Sequence, residues 1–271
     1  LGATDPGAAA SPFSIDSVKG GELSSDSVNV PDGTPYGSNQ VGTTRFSNIV
    51  LKRGMVDDDP LSSLVSNMLQ GKVQPISGGC AEGKKGLNAV NVKLAFVQAV
   101  PTSVRFPALD PDSNKQALMA VTLTPGAVKF SQATAGSLGV TKVAPGRSYT
   151  AGRFAFAIDG VGFPSVTHVN PFEVDCSTAP DGSVQLRASD LVIKADALTA
   201  GPLYTWANTV STSKVDRRSI SVIFHNDAGE EVSRLNFFEC WPRSITTPLV
   251  SALTGEVTVT LSVGSAAFTI G

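Results

Sequence analysis

Apolar and polar residues alternate strictly in several parts of this chain. In VNVKLAF, Val90, Val92, Leu94 and Phe96 fall on one face, and in EVTVTLSV, Val257, Val259 and Leu261 stand opposite Thr258 and Thr260. A side-chain period of two predicts half-buried antiparallel strands. The stretch RSISVIFHNDAGEEVSRLNFF reads as two strands around a tight connection, because Asn226, Asp227 and Gly229 supply turn chemistry between two β-rich runs. Helical spacing occurs in two places. Leu61, Leu64, Val65 and Met68 follow the acidic run Asp57–Asp59 and Pro60, a proline suited to a first turn. Leu203, Trp206, Ala207 and Val210 repeat the same stripe.

The two stripes belong to a longer repeat. SNIVLKRGMVDDDPLSS (Ser47–Ser63) aligns with SDLVIKADALTAGPLYT (Ser189–Thr205) without a gap at an offset of 142, pairing Val50 with Val192, Lys52 with Lys194 and Leu61 with Leu203. At the front, PFSIDSV matches AFAIDGV at an offset of 143, setting Phe13, Ile15, Asp16 and Val18 against Phe156, Ile158, Asp159 and Val161. At the back, DPDSNKQALMA matches WPRSITTPLVS at an offset of 131, pairing Pro111 with Pro242 and Ser113 with Ser244. The fall from 142 to 131 predicts about eleven extra residues in the first half, placed between Gln70 and Gly86. The chain therefore reads as a tandem duplication: a domain over 10–134 with an insertion near 71–86, a linker over 135–150 within the Gly/Ala/Ser-rich stretch Ser131–Tyr149, and a domain over 151–271. The fold expected is mainly β, two small antiparallel β-barrel or sandwich domains, each with one amphipathic helix. Pro31–Thr44 and Asp175–Ser183 read as loops at matching places, suited to contacts.

Composition narrows the function. Charged residues make up 16% of 271 residues, below the usual quarter, so part of the surface is expected to face other subunits rather than water. A net charge of -2 argues against a protein that grips nucleic acid. No apolar run approaches the roughly 20 residues of a spanning helix, and LGATDPGAAASPF has neither a basic n-region nor a long h-region, so neither membrane insertion nor a retained signal peptide is expected.

Chemistry-bearing residues are scarce. Cys80, Cys176 and Cys240 are odd in number and at no repeat-equivalent positions, which favours reduced thiols over a disulfide framework. His168 and His225 have no His, Cys or carboxylate at ligand spacing. Asp57–Asp59 lacks the ladder of a calcium loop and reads as helix capping. Cys80 lies near Lys84 and Lys85 but has no neighbouring histidine, and reads as an inert loop cysteine. Trp206 and Trp241 read as core. No catalytic residue, cofactor or metal is expected.

In order along the chain, FAFAIDGVGF (Phe154–Phe163, with a worn copy at Phe13), FSNIVLKRGMVDDDPLSSLVSNMLQGK (Phe46–Lys72), RRSISVIFHNDAGEEVSRLNFFECWP (Arg217–Pro242) and PLVSALTGEVTVTLSV (Pro248–Val263) resemble the tail-tube family of contractile-tailed phages and related contractile injection systems, whose fold is shared with the ring-forming tube protein of type VI secretion. The first half keeps Leu51, Lys52, Arg53 and Gly54 where the second has Ile193, Lys194, Ala195 and Asp196, and the second keeps Trp241 and Pro242. The resemblance implies repeat and core roles for Phe13, Ile15, Leu51, Leu61, Leu64, Phe156, Ile158, Ile193, Leu203, Trp206, Trp241 and Pro242. It directs attention to Lys52, Arg53, Tyr36, Asn39, Lys84 and Lys85 as inter-subunit contacts.

Members of the family are normally single domains that assemble as sixfold rings. A two-domain member is expected to form stacked trimeric, pseudo-sixfold rings with a central channel that conducts DNA or protein cargo without sequence-specific binding. Its expected partners are itself, a sheath, a baseplate and a tube terminator. Its expected location is a virion tail or an injection particle, extracellular or cytoplasmic, assembled in the host cytoplasm. The alternative within the same class is a trimeric hub or adaptor joining tube to spike. A carbohydrate-binding β protein would need exposed aromatics beside polar clusters, and an enzyme would need chemistry the chain hardly supplies.

Overall fold

A computed structural model describes residues 15–34, 36–55, 60–83, 90–131, 149–179, 181–212, 215–247 and 255–270. Phe13, Asp57–Asp59, Lys84, Lys85 and most of the expected linker lie outside them. The first half contains β1 (Ser17–Gly20), β2 (Leu23–Val30), β3 (Ser38–Phe46), β4 (Ile49–Gly54), α1 (Pro60–Leu69), β5 (Ile76–Gly83), β6 (Val90–Phe106), β7 (Leu118–Thr124) and β8 (Ala127–Ser131). The second contains β9 (Phe154–Ile158), β10 (Val161–Gly162), β11 (Val166–Val169), β12 (Phe172–Thr178), β13 (Val184–Ala188), β14 (Leu191–Asp196), α2 (Gly201–Ser211), β15 (Arg218–His225), β16 (Glu231–Thr246), β17 (Glu256–Ser262) and β18 (Ser265–Ile270). Among the described residues the chain is mainly antiparallel β, as the alternation predicts, with one helix in each half, as the helical spacing predicts.

Each half is organised around one long bent strand. The first part of β6 pairs with β5 and β8 and its last part with β7, and β16 does the same with β15, β18 and β17. The bend falls at Gln98 (φ 49°) and Glu239 (φ 56°), left-handed positions that non-glycine residues rarely occupy. A glycine follows the next turn in each half, with Gly126 and Gly264 N–H donating to Val97 and Phe238 O, both at 3.1 Å.

The ladders correct the alignment of the halves. Ile76 opposes Ala99 and Gly78 opposes Phe96, while Arg218 opposes Cys240 and Ile220 opposes Phe237. The strand β5 thus lies inside the expected insertion and matches β15 at the same offset of 142, so the eleven extra residues are not there. Pro101 opposes Leu123 and Ser103 opposes Thr122, just as Pro242 opposes Leu261 and Ser244 opposes Thr260. The true counterpart of Pro242-Arg-Ser244 is Pro101-Thr-Ser103. The sequence match to Pro111-Asp-Ser113 took a second Pro-x-Ser in the β6–β7 connection.

The front match also changes. Glu22 N–H donates to Ser47 Oγ at 2.9 Å and Ser47 N–H to Glu22 O at 2.9 Å, and Glu173 and Ser189 exchange the same bonds at 3.0 and 2.8 Å. Glu22 therefore corresponds to Glu173, and β1, which pairs with β4, corresponds to β11, which pairs with β14. Ile15, Asp16 and Val18 do not occupy the places of Ile158, Asp159 and Val161. The latter surround a β9–β10 hairpin whose turn, Asp159-Gly160 (φ 50° and 79°), has the two positive φ values of a tight two-residue connection.

The expected core residues Leu51, Leu61, Phe156, Ile158, Ile193, Leu203, Trp206 and Pro242 are buried, and Ile15 and Trp241 are half-buried. On α1 the buried face runs through Leu61, Ser62, Val65, Met68 and Leu69, so Leu64 sits at its margin and is only half-buried. Pro31–Thr44 is not a loop: only 31–37 connects β2 to β3. Its polar, two-sided exposed strand carries no alternation to read.

Candidate assembly surface

The two halves meet through a strand pairing. The β12–β13 hairpin adds to the edge of the first half's sheet, with Phe172 opposite Phe106, Glu173 opposite Arg105, Val174 opposite Val104 and Asp175 opposite Ser103. Alternation in Phe172, Val174 and Cys176 puts their side chains on one face, and all three are buried. An aromatic cluster fills the seam: the Phe106 ring lies 5.7 Å from Phe268 and 6.4 Å from Phe172, and Phe172 meets Phe237 edge-on at 4.7 Å. Helix α1 packs on β18, where Ser66 Oγ donates to Phe268 O at 3.3 Å. Leu109 and Val169 exchange backbone bonds at 2.8 and 3.0 Å, and Tyr149 at the linker's end is buried against the first half, accepting from Ala117 N–H at 2.7 Å.

The counterpart hairpin is bare. Strands β2 and β3 pair only with each other among the described residues, and Leu23, Val28, Val41 and Tyr36 are exposed. Its tip is held by Asp32 Oδ1, which accepts from Thr34 N–H at 3.0 Å and Thr34 Oγ at 2.6 Å. These bonds, the hydroxyl's first, lower the Asp32 pKa. Asp181 and Ser183 build the same turn at the β12–β13 tip, at 2.9 and 2.6 Å.

Of the expected contact residues, Tyr36 and Asn39 are exposed on this bare hairpin, with Asn39 Oδ1 accepting from Asn29 Nδ2 at 3.2 Å. Lys52 is half-buried. Arg53 is buried, which removes it from the free surface: side chains alternate along β4, and its position falls on the buried face. Sequence reasoning missed the β6–β12 seam altogether, because nothing local in FEVDC names its partner strand.

The remaining chemistry is dispersed. His168 Nδ1 lies 3.9 Å from Asp110 Oδ2, while His225 sits on β15 with its N–H bonded to Arg153 O at 3.0 Å. Among the described residues no group of three or more His, Cys, Asp or Glu is placed to hold a metal. The three cysteines are unbridged, and Cys80 lies on strand β5 rather than in a loop. Burial raises the thiol pKa of Cys80 and Cys176, and burial followed by the Glu239 charge pushes Cys240 up to about 12. No described helix is long and apolar enough to cross a membrane.

Residues 181–262, from the β12–β13 turn to the end of β17, match the family of the T4-like virus tail tube protein gp19. That match lies wholly within the second half. Among solved structures, the chain is similar to a protein of the sheath-tube complex of the extracellular contractile injection system PVC in its extended state, with 17% identity over 44% of this chain and 89% of that one (TM-score 0.34). It is similar also to Hcp1 from Flavobacterium johnsoniae, with 18% identity over 44% and 96% (TM-score 0.34). A third is a chain of the tube-terminating cap of the anti-feeding prophage, with 17% identity over 50% and 100% (TM-score 0.37). No curated protein matches the chain.

Proposed function

We propose that the chain is a structural subunit of the tube of a contractile tail or injection system, in which two fused domains occupy two neighbouring positions of a ring. Three chains then supply six positions around a channel for DNA or protein, and rings stack within a sheath between baseplate and terminator. The observation that carries this reading is the seam itself. The second half docks on the first head-to-tail, through a hairpin on one side and a sheet edge on the other, so the contact is heterologous and can repeat around a closed ring. The tail-tube family match over 181–262 supports reading such a ring as part of a tube. Native mass spectrometry with symmetry analysis of single-ring images tests it: three chains with alternating density support the reading, and six chains per ring overturn it. The hub alternative keeps the same ring but ends a tube rather than building one, so purified protein would give isolated rings and no hollow filaments.

A further inference from the structure

We infer that the β2–β3 hairpin of one copy adds to the free edge of β16 in a second copy, antiparallel, with Leu23 opposite Ile245. This rests on the ring reading and specifies its intermolecular contact. The internal seam is the template. The Glu–Ser clamps equate Glu22 with Glu173, and hence Leu23 with Val174. The β7 and β17 ladders equate Ser103 and Val104 with Ser244 and Ile245. Val174 opposes Val104 inside the chain, so the same operation between chains sets Glu22, Leu23 and Ser24 against Thr246, Ile245 and Ser244.

Both sides of this second seam are uncovered. Val174 is 2% exposed in the docked hairpin, but Leu23 is 59% exposed in the bare one. Ser103 and Val104 are buried under β12, whereas Ser244 is exposed and Ile245 half-buried, on an edge with no pairing strand among the described residues. An independent pair of positions agrees. Leu94 opposes Phe130 in the first half and Leu235 opposes Phe268 in the second, which makes Phe130 the counterpart of Phe268. Phe268 is 4% exposed, beside Phe106 and under α1, while Phe130 is 51% exposed. Phe130 and Leu23 are thus the two apolar groups that a second copy's β16 edge and α2 would cover. A hairpin and an edge left open on opposite halves of one chain also serve each other's sheet hydrogen bonds, which otherwise invite unspecific pairing.

The test uses full-length protein in two separately purified variants, Leu23→Cys and Ile245→Cys, one of them isotope-labelled, mixed and treated with a short bis-maleimide. Peptide mass spectrometry should find the 23–245 link between a labelled and an unlabelled chain. Val28→Cys mixed with Ile245→Cys is the register control, because five residues of strand displace the thiol by about 17 Å. Leu23→Asp and Phe130→Ser, both at exposed positions, should leave the melting temperature of the unassembled chain unchanged and raise the assembly midpoint by about tenfold or more. Assembled particles without the 23–245 link, or equal linking of Val28, overturn the pairing. A doubly substituted Leu23→Cys/Ile245→Cys chain separates this from the ring reading. Covalent species that stop at three chains uphold both, a ladder that runs past three upholds the pairing and refutes the three-chain ring, and unlinked trimers refute the pairing alone.

Discussion

Trp206 gives the sharpest test of how each half is held together. Its indole is fully buried on α2, its Nε1–H donates to Asp216 O at 2.7 Å, and the Arg218 guanidinium lies 5.3 Å from the ring centroid. Arg218 is fixed in turn by Asp216 Oδ2, at 2.9 Å to Nε and 2.7 Å to Nη2. One side chain therefore joins the helix to the residues that start β15. Trp206→Ala removes the largest fully buried side chain among the described residues and should cost about 3–5 kcal/mol, most of it as lost burial and residual cavity. Trp206→Phe keeps much of the volume but leaves the Asp216 carbonyl without its donor, for about 1–2 kcal/mol. Leu64→Ala, at the margin of the α1 face, should cost less than the 2–5 kcal/mol of a fully buried leucine. The measurement is urea unfolding followed by far-ultraviolet circular dichroism, since Trp206 is one of only two tryptophans and cannot report on its own removal. A midpoint for Trp206→Ala no lower than that for Leu64→Ala, at unchanged m, would refute this account of the helix.

Three further outcomes are expected. A Cβ on Gly264 would lie 2.7 Å from Glu239 Cβ, so Gly264→Val should destabilise by about 1–3 kcal/mol, whereas Gly162→Ala, facing open space, should change the thermal midpoint little. Cys240, buried and with its thiol pKa at about 12, should resist a maleimide at pH 7 in the folded chain and react fully in urea; rapid labelling of native protein would show that the β16 bend opens. The Glu256 carboxyl is held below its ordinary pKa, first by Lys194 at 3.2 Å and then by Thr167 at 3.0 Å. A depressed folded pKa contributes stability above the unfolded value that is lost as pH falls through the folded one. Glu256→Gln should therefore cost less than about 1 kcal/mol at neutral pH, as suits a half-exposed pair, and nothing once acid has protonated the wild-type carboxyl.

The legible parts of the sequence were those whose structure is decided locally. Val257, Val259 and Leu261 alternate because β17 has one buried face, and Asn226 to Gly229 make their turn wherever the strands lie. Leu61 and Trp206 marked helix faces by spacing alone. Register is decided by distant partners. Pro101 and Pro111 each precede a serine by two residues, and only the ladder to β7 shows which of them matches Pro242. The β2 strand, LSSDSVNV, is exposed on both faces, so no period of two distinguishes it from a loop. Its role becomes visible only beside β12, whose equivalent residues are covered by the other half.

On the inferred pairing, the seam within the chain and the seam between chains differ in a way that predicts where a ring comes apart. The internal seam carries Phe106, Phe172 and Phe268, and their counterparts between chains are Thr247, Gly21 and Phe130. The internal cluster also holds Phe237, whose counterpart is Phe96, so the external seam has two aromatics where the internal one has four. It also bears the translational and rotational cost of association, which the covalent connection between the halves spares the internal one. Rings should therefore open between chains, never between halves. Gly21 cannot be enlarged to restore the contact, since its φ is 78° and a Cβ would sit 2.9 Å from Leu94 Cδ1. Thr247, half-buried at the end of the free edge, can. Thr247→Phe places a ring where Phe106 stands in the internal seam, within reach of a second copy's Phe130, and an aromatic pair worth about 0.5–1.5 kcal/mol beyond its buried area should lower the assembly midpoint by up to about tenfold. Sedimentation velocity over a dilution series reads that midpoint. An unchanged midpoint, in a chain whose assembly Leu23→Asp does weaken, would show that Thr247 does not take the place of Phe106.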